Sequence, residues 1–236
     1  FTFSEMSDSL KIAIIGDYNF TYNSHHATNL SLDHSLELLE VEINYYWIKV
    51  NEAVKNKPIY FDQFDGIWIA PGPFQNIFFL NGIFKILIEK SIPILITGES
   101  FKLFIEFLVA INQLNTQGEK LISENLVAGS QFERVSIFPQ TSEYQKMYEN
   151  FSSIELTSSR FSLYPQLIEQ LKGEFIEILG LNQFDDPEII CLVNHPFFLA
   201  CAFCPQISST RDIPHPIIFK FLKMTIEKNS ALKLVN

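Results

Sequence analysis

Basic residues are scarce in this chain of 236: 17 Lys and Arg stand against 27 Asp and Glu, a formal net charge of −10. That balance argues against a nucleic-acid partner, whose phosphates need a basic surface, while one or two arginines would still suffice for a small anion. Long apolar runs are also missing. None reaches the roughly 18 residues that span a bilayer, and the longest, IFFLNGIFKILI, is broken by Asn81, Gly82 and Lys85, so no membrane partner is expected. The opening FTFSEMSDSL has neither the basic segment nor the apolar core of a secretory signal, which makes the cytoplasm the expected location. Only three cysteines occur, Cys191, Cys201 and Cys204, an odd number that predicts reduced thiols in that setting. Zinc would need a fourth ligand, and His195 beside Pro196 is a poor one, so neither a metal nor another cofactor is expected.

What is present is apolar. Hydrophobic residues make up 47% of the chain and charged residues 19%, enough to build one large core and too little charge for disorder. Residues 10–15, LKIAII, form a fully apolar run ending in Gly16-Asp17, as a buried parallel strand does. In the segment from Ala27 to Glu40, Leu30, His34, Leu38 and then Val41 recur at helical spacing. Strands are expected at 43–50, 64–72 and 92–97, and helices at 77–90 and 100–114. Strand-like runs follow at 131–138, 174–181, 187–193 and 197–203, with helices at 142–150, 164–171 and 214–228. This alternation predicts one α/β domain, core about 10–228, with an open, mostly parallel sheet, helices on both faces and an antiparallel extension.

In such a sheet ligands bind beyond the carboxyl ends of the strands. Two loops converge there, Ala70-Pro71-Gly72-Pro73 and Thr97-Gly98-Glu99-Ser100. The second opens a helix, where free N–H groups stabilise an anion, and Gly98-Glu99-Ser100 has the form of a nucleophile turn. The closing Gly of G-x-S-x-G is Lys102 here, so Ser100 is read as a helix N-cap, with a nucleophile as the alternative.

FDGIWIAPG, PILITGESFKLFIEF and HPFFLACAFCPQISSTRDIPHP, in that order, resemble the glutaminase half of CTP synthase. They are still more similar to the stand-alone proteins related to its C-terminal region. The resemblance runs from about Lys11 to Leu222 and is weakest over 115–150. It implies a class I glutamine amidotransferase-like (flavodoxin-like) fold. In that family a cysteine on a Gly-x-Cys-x-Gly turn attacks the glutamine amide, a His-Pro-Glu supplies the catalytic His and Glu, and ammonia passes to a synthase site.

Carried over by position, the resemblance implies a degenerate triad. His-Pro-Glu becomes Cys204-Pro205-Gln206, and the cysteine position falls on Gly98 or on Thr97, depending on which side the turn is aligned from. The family's Pro-Gly-Gly oxyanion loop becomes Pro71-Gly72-Pro73, and Pro73 has no N–H to donate. Arg160, in Ser158-Ser159-Arg160-Phe161, matches the arginine that grips the α-carboxylate of glutamine, and Asp17, Tyr18 and His26, similar to a Gly-Asp-Tyr and a downstream His of the stand-alone proteins, are expected to line a ligand pocket. No counterpart of the synthase half is present, so the chain is not expected to form CTP alone. The resulting expectation is a non-catalytic protein that binds an amino-acid-like molecule, a partner protein or a second copy. The alternative is an amide hydrolase with Ser100 as a relocated nucleophile, assisted by Glu99 or His26.

Overall fold

The computed structural model describes residues 9–115, 117–125, 132–158 and 160–235, and the side chains of Asn125, Arg160, Leu232, Lys233 and Val235 lie outside the description. The first half alternates strictly: β1 (Leu10–Ile15), α1 (Asn23–Leu39), β2 (Ile43–Ile48), α2 (Val50–Ala53), a 3-10 turn at Pro58–Gln63, β3 (Gly66–Ile69), α3 (Phe78–Leu87), β4 (Ile94–Thr97) and α4 (Glu99–Ile111). The second half carries β5 (Ile122–Asn125), β6 (Glu133–Ser136), β7 (Phe138–Pro139), α5 (Ser142–Tyr148), β8 (Ile154–Thr157), β9 (Arg160–Leu163) and α6 (Pro165–Leu171). It closes with β10 (Ile176–Leu181), β11 (Pro187–Leu192), β12 (Phe198–Cys201), α7 (Pro205–Ser208) and α8 (Pro216–Val235).

Eight strands join one sheet in the order β2-β1-β3-β4-β12-β11-β10-β7. From β2 through β12 the neighbours run parallel, and β11, β10 and β7 extend the sheet antiparallel. The central parallel strands β3, β4 and β12 are buried along their whole length because helices cover both of their faces. On one face Ala13, Ile15, Ile67, Ile94 and Ile96 pack with Phe84, Phe101 and Phe104 of α3 and α4. On the other, Ile12, Ile14, Trp68 and Leu95 pack with Leu32 of α1 and with Ile218 and Phe221 of α8.

Three expectations are corrected. The spacing of Leu30, His34 and Leu38 does not mark the buried face of α1: Leu30 and Leu38 are exposed, and Ser24, His25, Thr28, Ser31, Leu32 and Ser35 face inward. The hydroxyls of Thr28, Ser31 and Ser35 bond to carbonyls of the preceding turn, so small polar side chains pack inward with their polar atoms satisfied. The helix also starts at Asn23, ahead of the expected Ala27. The single strand expected at 131–138 is two, of which only β7 joins the main sheet; β6 pairs with β8, and β5 with β9, in two antiparallel pairs apart from it.

The Phe-rich core has a definite centre. The Phe104 ring lies 5.3 Å from Phe84 and 4.8 Å from Phe198, joining α3, α4 and β12. Phe104→Ala is expected to cost about 3–5 kcal/mol through lost burial and a residual cavity, measured as a lowered urea midpoint with an unchanged denaturant slope.

Candidate functional site

The carboxyl ends of β1, β3, β4 and β12 meet at one turn. Between the last residue of β4 and the first of α4, Gly98 adopts φ +69° and ψ −141°, a conformation that side-chain-bearing residues rarely take. Its N–H is shared by the carbonyls of Cys201 (3.0 Å) and Phe203 (3.1 Å), which ties the turn to the end of β12. A Cβ on Gly98 would stand 2.6 Å from the Pro71 Cβ and 3.1 Å from the Cys204 Sγ. The residue at the turn is therefore Gly98. Thr97 belongs to the strand, where its buried hydroxyl accepts from Trp68 Nε1 at 2.9 Å.

Ser100 is neither cap nor exposed hydroxyl. The N-cap of α4 is Gly98, with no side-chain capping bond, and Ser100 lies inside the first turn, fully buried, donating to the Ala70 carbonyl at 2.5 Å. It fastens α4 to the 70–73 loop. Beside it Glu99 is half-buried, and its carboxylate rests on Gly72 so closely that any Cβ there would collide with it. Burial pushes the Glu99 carboxyl up from its usual range; Lys102 opposes this, but its ammonium is engaged by Glu124 and, at 3.4 Å, by Glu106.

The histidine that reaches this loop is His25. It is fully buried, accepts from the Asn19 N–H at Nδ1 (3.0 Å), and so presents Nε2–H to the carbonyls of Pro71 (3.0 Å) and Gly72 (3.2 Å). His26, the expected pocket residue, is exposed on the neighbouring face of α1. Asp17 accepts from the backbone N–H of Gln75 (2.7 Å) and of Val50 (3.4 Å), clamping the two loops that flank the cleft. Tyr18 is 42% exposed and lies edge-on to Trp47 at 4.9 Å, at the rim. Arg160 sits on β9 opposite Asn125, and its side chain lies outside the described residues.

Cys204 and Gln206 close the inner side of the turn. Cys204 precedes α7 and is fully buried; burial pushes its thiol up to about 12, with Ser158 opposing. Gln206 is buried and points Nε2 at Thr28 Oγ1 (3.3 Å) and Thr97 Oγ1 (3.5 Å), while its Oε1 has no partner among the described residues. The three cysteines are free thiols.

No family model matches the chain. Over 80 residues, 34% of its length, it is 34% identical to the CTP synthase of Buchnera aphidicola subsp. Acyrthosiphon pisum (strain Tuc7). Over 85 residues it is 28% identical to the CTP synthase of Helicobacter pylori (strain ATCC 700392 / 26695). These segments span only 15% and 16% of the respective synthases. Among solved structures, the glutaminase domain of Trypanosoma brucei CTPS with bound acivicin superimposes with a TM-score of 0.75 over 93% of this chain and 94% of that one, at 17% identity. The chain has the class I glutamine amidotransferase-like fold of a CTP synthase glutaminase domain. A Thermoplasma acidophilum protein described as a GMP synthase component shares the fold at a TM-score of 0.60 and 13% identity, covering 95% of this chain and 98% of that one.

Within this glutaminase-like fold the structure adds a polar network that the sequence did not disclose. Glu155 and His215 are both fully buried, with His215 Nε2 2.5 Å from Glu155 Oε1. Tyr148 donates to the same oxygen at 3.1 Å, Ser208 donates to Oε2 at 3.4 Å, and the Ile217 N–H donates to His215 Nδ1 at 3.1 Å. β8 is inside out, with Glu155 and Thr157 inward and Ile154 exposed, a burial pattern that only the structure reveals. Among the described residues no group of three or more His, Cys, Asp and Glu is placed to hold a metal, and no helix is long and apolar enough to cross a membrane.

Glu99 gives a pH test. Its folded carboxyl keeps the proton above 4.5, the unperturbed value, so between 4.5 and the raised value the folded state binds more protons than the unfolded chain. Stability falls as pH rises through that window, and the penalty persists above it. Glu99→Gln is expected to remove this part of the slope and to be more stable than wild type at neutral pH, read from urea midpoints across a pH series.

Proposed function

We propose that this chain is a CTP synthase glutaminase-like protein that has lost the Cys-His-Glu triad and acts without catalysis, binding a small amino-acid-like molecule in the cleft. One observation carries the reading: the space into which a nucleophile at Gly98 would project is already filled by Pro71 and the Cys204 thiol. The backbone holds a nucleophile turn, but no nucleophile stands on it, and the positions of base and orienting acid hold Cys204 and Gln206. Losing a nucleophile and its base removes about a million-fold of rate in comparable triads. A relocated nucleophile at Ser100 is not favoured, because its hydroxyl is buried and committed to the Ala70 carbonyl.

The cleft retains means of recognition: the loop of Gly72 fixed by His25 and Asp17, the rim ring of Tyr18, and Glu99. By its likeness to the family, Arg160 would grip an α-carboxylate, a contact suited to a guanidinium fork. A partner protein or a second copy seated at the same strand ends is the corresponding macromolecular role.

The test has two parts. Purified protein is expected to release no ammonia from glutamine above the buffer rate and to resist labelling by a fluorophosphonate. In a thermal-shift screen of glutamine, glutamate and related amino acids, a ligand at about 100 times its Kd adds about 2.7 kcal/mol, and Arg160→Ala is expected to abolish that shift. Glutamine turnover, or a label lost in Ser100→Ala, would refute the non-catalytic reading. A second expectation concerns repair: Gly98→Cys should not restore glutaminase activity and should cost about 2–4 kcal/mol, because its Cβ has neither space nor an allowed dihedral.

A further inference from the structure

Beyond the carboxyl end of α7, whose last residue Ser208 lines it, lies a cavity of about 480 Å³, within the range of small-molecule sites. It is framed by the β6–β8 pair, the connection from α5 to β8 and the connection from α7 to α8. Its chemistry follows from β8 being inside out. Because Glu155 and Thr157 turn inward, Ile154 and Leu156 are given to the cavity instead of the core. Ile154 is 46% exposed and Ile213, on the other wall, 54%. Phe151 completes the apolar lining, its ring packed edge-on against His215 at 4.6 Å and therefore backed by the buried His–Glu pair.

Opposite Leu156 on β6, Arg134 also lines this cavity. It has no carboxylate partner among the described residues, in a chain whose acids outnumber its bases by 27 to 17. An unpaired guanidinium and an open apolar wall thus share one concave space. A guanidinium selects a planar or tetrahedral anion through its fork of donors, and the isoleucines and Phe151 select an apolar body beside it. We propose that this cavity is a second binding site, for a small molecule carrying one anionic group on an apolar ring or short chain.

The proposal does not rest on the cleft at Gly98, and its test separates the two. The probe is 8-anilinonaphthalene-1-sulfonate, an anion on an aromatic body, followed by its fluorescence. Wild type is expected to bind the dye saturably, and Arg134→Ala, an exposed position whose loss leaves the fold intact by circular dichroism, to bind at least tenfold more weakly. Ile213→Ser should weaken binding several-fold, and Lys223→Ala, in the separate groove between α5 and α8, should leave it unchanged. Phenylacetate or phenyl phosphate should displace the dye and phenethylamine should not; which of the two anions competes better tells carboxylate from phosphate. No saturable binding, equal binding by Arg134→Ala, or a loss confined to Lys223→Ala would overturn the assignment. A glutamine shift unaltered by Arg134→Ala is expected in either case.

Discussion

Where β4 runs into α4, the backbone folds over a residue with no side chain, and most of the cleft is built around that fact. Gly98 supplies the positive φ, and its N–H holds the end of β12 through two carbonyls. Pro71 and Cys204 then stand nearer to the missing Cβ position than ordinary van der Waals contact. The Ser100 hydroxyl and the His25 imidazole secure the loop that carries Pro71. A larger residue at the turn would push this loop away, and with it the seat of Glu99 on Gly72. Dihedral and packing at this turn thus depend on one another: the positive φ at Gly98 and the close approach of Pro71 and Cys204 both require the absence of a side chain.

A second constraint is the short helix α7, which stands between two differently built environments. At its start Cys204 and Gln206 complete the elbow; at its end Ser208 bonds to Glu155, whose pairing with His215 anchors the approach to α8. Burying a carboxylate and an imidazole together is costly unless the remaining lone pairs and protons are met, and Tyr148, Ser208 and the Ile217 N–H meet them. The network therefore fixes α7 against β8, and its position fixes both the turn on one side and the cavity wall on the other.

Much of this could be read from the residues. Apolar runs bounded by Gly and Pro locate β1, β3 and β4, and apolar periodicity locates α3 and α4, because burial on both faces leaves a strong pattern. The antiparallel extension was legible in the close succession of apolar runs after residue 174. The face of α1 was not, since its buried stripe is made of serines and threonine that satisfy their own hydroxyls and look polar in sequence. The choice between His25 and His26 was equally closed: one residue along a helix rotates a side chain by about 100°. That Gly98, and not Thr97, occupies the turn is visible only in a backbone dihedral, and the Glu155–His215 pair joins residues 60 positions apart on elements with no shared motif. Short strands such as IELT and RFSL, whose partners lie outside the main sheet, carry too little apolar pattern to be seen.

The place of β12 in the sheet has a bearing on how the chain is made. The fifth parallel strand, between β4 and β11, comes not from the next segment of sequence but from Phe198–Cys201. During synthesis β4 is complete long before its neighbour exists, and its apolar edge, Ile94–Thr97, waits unpaired while everything from α4 to β11 is added. Pairing across that separation closes a long loop, a step that slows folding. Until it happens the nascent amino-terminal half is an open sheet with a sticky border, the kind of surface that chaperones shield and aggregates recruit. The same strand that completes the elbow is thus the one that ends the chain's most vulnerable interval.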